Sequence, residues 1–356
     1  MERDTLSFRQ LMALLWAGLL GPAAELLPGT GAQAGAVGAL AVLPLGLLMA
    51  VSGGIFWCLA QPGGGLAVGL RDSLGCWLGS ACLFLYIMWG ELLLTVRLRL
   101  SAQRLMGVGE RDGTIWFFLI ILAVMALWMA RGHLGALGRA AELMFAILLA
   151  AAGTVLLLAL SQTRSVNLMA RWQWSAAAAG ELFWSGLGVL GYGVFAGFLL
   201  QPEAMEHPKR KWLKWTTIGC LLLTVAQIII IGCFGPELTQ RLSSPFFQLA
   251  KSVGVEGAFQ RVESVIVGLW TFSDLILLAG ILWAIRRIAA VLWPNASGQG
   301  VAAMAVLPAV VAALALFGES GSAQETVKIV VPIGNLTFGF AIPLLILLCK
   351  AIRQNK

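Results

Sequence analysis

The chain has 356 residues, 59% of them hydrophobic and only 12% charged, with a mean hydropathy of +0.88 and a formal charge of +7. A water-soluble domain, in which about a quarter of the residues are charged, has no surface for that much apolar side chain. The excess of Lys and Arg does not mark a nucleic-acid binder, because it sits at the ends of apolar segments and not along one face or in a polar arm.

Apolar runs long enough to cross a bilayer, each needing about 20 residues, recur along the chain and predict an all-α polytopic membrane protein. In order they fall at 8–27, 35–60, 74–96, 114–130 and 143–160, then at 179–200, 215–234, 262–289, 301–317 and 329–348, ten in all. Asp4 and Arg9 precede Leu11–Leu20 with no small-residue cleavage pattern, so the first helix is expected to be retained. The whole of 1–356 reads as one transmembrane domain, with a first five-helix repeat over 8–160 and a second over 179–348.

Lys and Arg favour the cytoplasmic side of short connections. With both termini inside, that side collects fourteen, including Arg9, Arg71, Lys209, Arg210, Lys211, Lys214, Arg286 and Arg287, against eight outside. Arg97, Arg99, Arg104 and Arg111, placed in the outer connection between the third and fourth spans by these boundaries, dissent from the rule. In the connection after the seventh span, Phe246, Phe247, Leu249, Ala250 and Val253 fall at helical spacing and predict a short surface helix within 243–255.

Gly and Pro inside a span matter, because a broken helix in lipid must have its backbone groups satisfied by protein or by a wet cavity. Gly18, Gly21 and Pro22 interrupt the first span just before Ala23 and Glu25. Pro22 lacks an N–H and clashes with the carbonyl of Gly18, so this turn is expected to kink or open. Gly186, Gly188, Gly191 and Gly193 place four glycines within eight residues of the sixth span, with Tyr192 among them. The two runs occupy matching places, the first helix of each five. Two readings stay open: discontinuous helices 1 and 6 around a midplane solute site, or small residues that let helices pack closely. In the first, helix N-termini and freed carbonyls suit a solute with a carboxylate and an ammonium group.

Ionisable groups within spans are costly and invite a functional reading. Glu91 and Asp274 are candidates for ion or proton coupling, and Asp274 has no evident partner; Glu263 could belong to a charged helix start, and Glu25 and Glu181 to outer helix ends. Tyr86, Tyr192, Trp184 and Trp270 are aromatic candidates for lining a solute cavity. Cys58, Cys76, Cys82, Cys220, Cys233 and Cys349 form no CxxC and read as small core residues, and two histidines are too few for a His-rich metal site. No nucleotide loop, nucleophile elbow or paired catalytic carboxylate pattern occurs. Neither an enzyme nor a cofactor is expected, and the solute-binding candidates are Gly18, Gly21, Pro22, Ala23, Glu25, Tyr86, Gly186, Gly188, Gly191, Tyr192 and Trp270.

The stretch Pro245-Phe-Phe-Gln-Leu-Ala-Lys251, followed by Phe259-Gln-Arg261-Val-Glu263 and then Trp270, resembles the pattern of the GerAB-like spore germination permeases, the B subunits of spore germinant receptors within the amino acid/polyamine/organocation superfamily. Ser7-Phe-Arg-Gln10 ahead of the first helix, and Pro202 with the basic run 209–214, add to it. The likeness covers nearly the whole chain. Asp274 departs from it, standing where the family often has Lys, as does the stretch 105–114, which lacks the family's Leu-Pro...Thr-Pro. The resemblance implies a LeuT-like five-plus-five fold, and an amino acid or similar small germinant held between helices one, three, six and eight. It also implies an A-type membrane subunit and a C-type lipoprotein as partners, in a spore inner membrane. The function it implies is nutrient sensing, with a secondary amino acid transporter as the alternative and a structural subunit as a third.

Overall fold

The computed structural model describes residues 5–61, 64–108, 114–169, 175–202, 208–242, 244–253, 262–315 and 320–354. Among them the chain is helical almost throughout. The elements are α1 (Phe8–Gly38), a 3-10 turn (Ala39–Val42), α2 (Leu43–Ala60), α3 (Leu66–Leu74), α4 (Cys76–Val108), α5 (Ile115–Arg131), α6 (Leu134–Leu160) and α7 (Ser165–Met169). There follow α8 (Ala176–Leu190), a 3-10 turn (Gly191–Gly193), α9 (Val194–Leu199), α10 (Pro208–Phe234), α11 (Pro236–Arg241), α12 (Pro245–Ser252), α13 (Val262–Leu292), α14 (Gly298–Ala315), α15 (Ser320–Leu336), a π-helical turn (Thr337–Ala341) and α16 (Ile342–Gln354).

Among the described residues, eight helical runs are long and apolar enough to cross a membrane, and the first, Phe8–Ala60, is 53 residues long and holds both α1 and α2. Taking these as two crossings and adding the shorter apolar helix Ile115–Arg131 recovers the ten expected spans. The outer face matches a lipid environment: Trp77, Trp128, Leu157 and Met304 are among many large apolar side chains left uncovered. In water such a surface would drive association; in lipid it costs nothing.

The chain enters α1 through a capping box, in which Ser7 Oγ accepts from the Gln10 N–H (3.2 Å) and the Gln10 side chain accepts from the Ser7 N–H (3.1 Å). This meets the orphan donors of the first turn. The helix then runs past the expected end at residue 27 to Gly35, whose φ of 71° is open to glycine and strained for other residues. The turn into α2 is therefore made by one glycine and a 3-10 turn, without a polar loop. About two-thirds of the residues of α1 are buried, and the helix packs against α6, α8, α10 and α13, which makes it the axis of the bundle.

Two expectations are corrected here. The first helix is not discontinuous at Gly18–Pro22; the backbone stays helical through both residues. The reason lies on α13: Ser273 Oγ donates to the carbonyl of Ala17 at 2.5 Å and accepts from the N–H of Gly21 at 3.3 Å. The hydroxyl is spliced into the weakened turn beside Pro22, so the turn closes without unwinding. The third span is also longer than 74–96, since α4 continues to Val108 and carries Arg97, Arg99 and Arg104 inside the helix, all three buried. These arginines are not loop charges, so they no longer count against the expected orientation; Arg111 lies outside the described residues.

The sixth span is interrupted as expected. α8 gives way to the 3-10 turn Gly191–Gly193 before α9 resumes the helix. The short helix expected within 243–255 is α12, Pro245–Ser252, with Pro at its first turn, where a missing N–H costs nothing.

A buried ion cluster as the candidate functional site

Arg97 and Arg104 are seven residues apart on α4, two turns, and so share one face of it. That face meets Glu25 on α1 and Asp274 on α13. Asp274 Oδ1 accepts from Arg97 Nε at 3.0 Å and also from Arg97 Nη2, while its Oδ2 lies 3.2 Å from Arg104 Nη1. Arg104 Nη2 in turn lies 2.5 Å from Glu25 Oε2. Arg97 and Asp274 are each 2% exposed. An isolated charge there would carry a large desolvation cost; two cations and two anions of zero formal sum make the burial tolerable.

The four groups are not equally satisfied. Arg97 gives two donors to one oxygen of Asp274, whereas Arg104 divides its contacts between two acids and its Nε has no acceptor. Arg104 is held by one nitrogen to each of two carboxylates. Its planar donor set suits bidentate capture of a carboxylate, and neither acid is held in that way.

One side of the cluster is closed by aromatic side chains. The Arg104 guanidinium lies 5.4 Å from the centre of the Trp270 ring, a cation–π contact. Phe246 and Phe247 of α12 rest on the same indole at 6.0 and 5.9 Å, and Lys251 Nζ sits 4.8 Å from the Phe247 ring. Pro245–Lys251 and Trp270, distant in sequence, thus form one stack that ends on Arg104.

Tyr192 stands in the 3-10 turn of the sixth span, buried, in the electrostatic field of both Arg97 and Asp274. This brings the second interruption beside the cluster. Asn335 of α15 secures its other side: its Nδ2 donates to the carbonyl of Leu187 at 2.9 Å, with that of Gly188 at 3.5 Å. A Cβ on Gly191 would lie 2.6 Å from Asn335 Cγ, so this position has room only for glycine. Gly186 packs against Leu45 in the same way. A cavity of ≈ 40 Å³ adjoins this turn on the α2 and α10 side, lined by Met49, Ser52, Gly191 and Asn335 among mainly apolar groups. That is room for a water or two.

The candidates therefore divide. Glu25, Trp270 and Asp274 meet at the cluster, with Tyr192 within its electrostatic reach; Gly21 meets Ser273, and Gly18 lies with its Cβ position 3.1 Å from that of Leu277, both between α1 and α13. Pro22 and Ala23 are buried in the same stretch of α1. Tyr86 is elsewhere: its hydroxyl donates to the carbonyl of Phe338 in the π turn at 2.7 Å, and its ring packs between Phe198 and Phe338. Glu91, six residues before Arg97, points to a different face of α4, toward the Ala309 backbone of α14. It is not paired with Asp274. Trp184 donates from Nε1 to the carbonyl of Lys328 at 3.0 Å on the periphery. Glu181 is exposed, and the side chain of Glu263 lies outside the described residues.

Arg97, Arg104, Ser273 and Asn335 are members of the site that motif reading passed over. The seven-residue spacing of the two arginines, within the continuing apolar pattern Val96, Leu98, Leu100, Ala102 and Leu105, was the available signal for the first pair. Nothing in the sequence singles out Ser273 or Asn335. Among the described residues no cluster of His, Cys, Asp and Glu could hold a metal ion.

The family described as "Spore germination protein" (Spore_permease) matches residues 5–320. No curated protein matches the chain. Among solved structures, a substrate-bound, outward-open Na+-coupled sialic acid symporter superposes with a TM-score of 0.62 at 8% identity, over 94% of this chain and 78% of that one. MhsT in complex with L-phenylalanine superposes with a TM-score of 0.58 at 15% identity, over 97% of this chain and 98% of that one. At these identities the likeness is one of fold: the LeuT-like arrangement of membrane transporters, with no enzyme among these relatives.

Proposed function

This chain belongs to the spore germination protein family, and we propose that it acts there as a germinant-receptor B subunit, binding a small nutrient, an amino acid, within the membrane to trigger germination. The observation that carries the reading is Arg104. It is a buried guanidinium shared between two carboxylates, one nitrogen to each, with neither held bidentately and its Nε without an acceptor. A zwitterion suits that arrangement. Its carboxylate can take the Arg104 donors that neither Glu25 nor Asp274 engages, and its ammonium group can sit against one of those two acids.

Binding would then replace one set of ion pairs by another and shift the balance between two conformations. Trp270 and the α12 phenyl rings above Arg104 would have to move for a solute to enter. That couples occupancy to the position of α12. An A-type membrane subunit and a C-type lipoprotein are the partners this reading expects, in the spore inner membrane with both termini cytoplasmic.

A secondary amino acid transporter is the second reading, favoured by the fold and by the interrupted sixth span. Proteoliposomes holding this chain alone separate the two. Binding of radiolabelled amino acids without time-dependent uptake supports a receptor; accumulation driven by an ion gradient supports a transporter. Arg104→Gln should abolish binding in either case, and unchanged binding would remove the cluster from the site.

A further inference from the structure

We propose that the groove between α1, α6 and α10 is a binding site for an anionic phospholipid, taken from the leaflet at the N-terminal end of α10. The groove has a volume of ≈ 430 Å³ and is apolar along its length, with Lys211 and Lys214 at one end. Its α10 wall reads Lys211, Lys214, Trp215, Ile218 and Leu222, spacings that keep one helical face. Along that face charge comes first and apolar side chains follow.

The dimensions match a lipid. From Lys211 to Leu222 the helix rises about 16 Å, against about 15 Å for the hydrocarbon depth of one leaflet. Phe145 of α6 meets Trp215 with ring centres 5.7 Å apart, narrowing the groove on one side. At its floor Gly219 has no side chain, and the ring of Trp16 from α1 takes the place that a Cβ would fill. Ile218 and Leu222 are left uncovered by protein at 46% and 41% exposure. The two lysines are exposed and enter no ion pair among the described residues. A phosphodiester between them, with an acyl chain lying over Ile218 and Leu222, satisfies both ends of the groove.

The test uses the full chain, purified and reconstituted with equal amounts of phosphatidylglycerol and phosphatidylcholine, with retained lipid read by native mass spectrometry. Phosphatidylglycerol should be retained in preference by roughly tenfold or more, each lysine near an anionic headgroup being worth about a fivefold factor. The exposed double variant K211Q/K214Q should lose that preference, and K350Q, on α16, should keep it. I218W/L222W, with both lysines intact, should reduce retention by filling the acyl path. Equal retention of the two lipids, an unchanged preference in K211Q/K214Q, or displacement by glycerophosphoglycerol at matched concentration would each overturn the proposal. Elution volume and helical circular dichroism confirm that each variant is folded.

Discussion

Arg97 and Asp274 lie 177 positions apart in the chain, yet the Arg97 side chain donates twice to one carboxylate oxygen of Asp274, almost without solvent. Breaking a buried pair leaves a charge with nothing to offset its burial, at a cost of about 3–5 kcal/mol. Asp274→Ala exposes two arginines to that fate and should lower the thermal midpoint of the purified protein sharply. Arg97→Gln added to it should recover part of the loss, a coupling that a double-mutant cycle measures. Glu25→Gln should cost less, because the Glu25 side chain is 17% exposed and Arg104 keeps Asp274.

Ser273→Ala removes the hydroxyl that joins Ala17 to Gly21 and leaves polar backbone groups buried beside Pro22. The expected cost is about 1–3 kcal/mol. Hydrogen exchange is the sharper readout, since amide protection should fall in α1 around Gly21 while α2 and α10 are unchanged. Uniform loss of protection would mean that the hydroxyl supports the fold generally and not this turn.

Gly191→Ala places a methyl group where Asn335 already stands, so either the 3-10 turn or α15 has to shift. Amino acid binding should weaken strongly in the Ala variant, and Gly191→Leu should abolish it. The nearest atom to that methyl group is the Cβ of Asn335, so replacing Asn335 by Gly in the Gly191→Ala background makes room and should restore part of the affinity. Binding that ignores Gly191→Leu would place the solute elsewhere.

Trp270→Ala removes the ring that carries both the Arg104 contact and the two α12 phenyl groups, interactions together worth about 1–3 kcal/mol. The cluster should become accessible from that side. In the binding assay this should appear as faster association and much faster release, with affinity reduced; an unchanged release rate would show that the stack does not close the site.

Much of the architecture was legible in the chain. Hydropathy placed all ten spans on helices, although α1 runs on to Gly38, α4 to Val108 and α6 starts at Leu134, and the glycine run at 186–193 marked a real interruption. What failed has physical causes. Pro22 weakens a helix by removing a donor, but a hydroxyl 251 positions from Pro22, at Ser273, restores the turn, and local rules are blind to it. Arg97 to Arg104 read as a loop because cations in a span are disfavoured unless paired; the carboxylates that pair them come from α1 and α13. Asp274 was marked as important for its depth alone, and its partners became visible only once α4 and α13 were side by side. Glu91 was chosen by the same logic of depth and points to another face of α4; Tyr86 was chosen for its amphipathic ring and packs against Phe198 and Phe338.

Ser273 and Asp274 are neighbours on α13, and successive side chains on a helix diverge by about 100°. One grips the backbone of α1 and the other the arginines of α4. The helix is therefore keyed in two directions at once, like a shaft with two flats. Turning it by a single residue step would release both neighbours together, so the hold on α1 and the hold on α4 depend on one and the same rotation of α13.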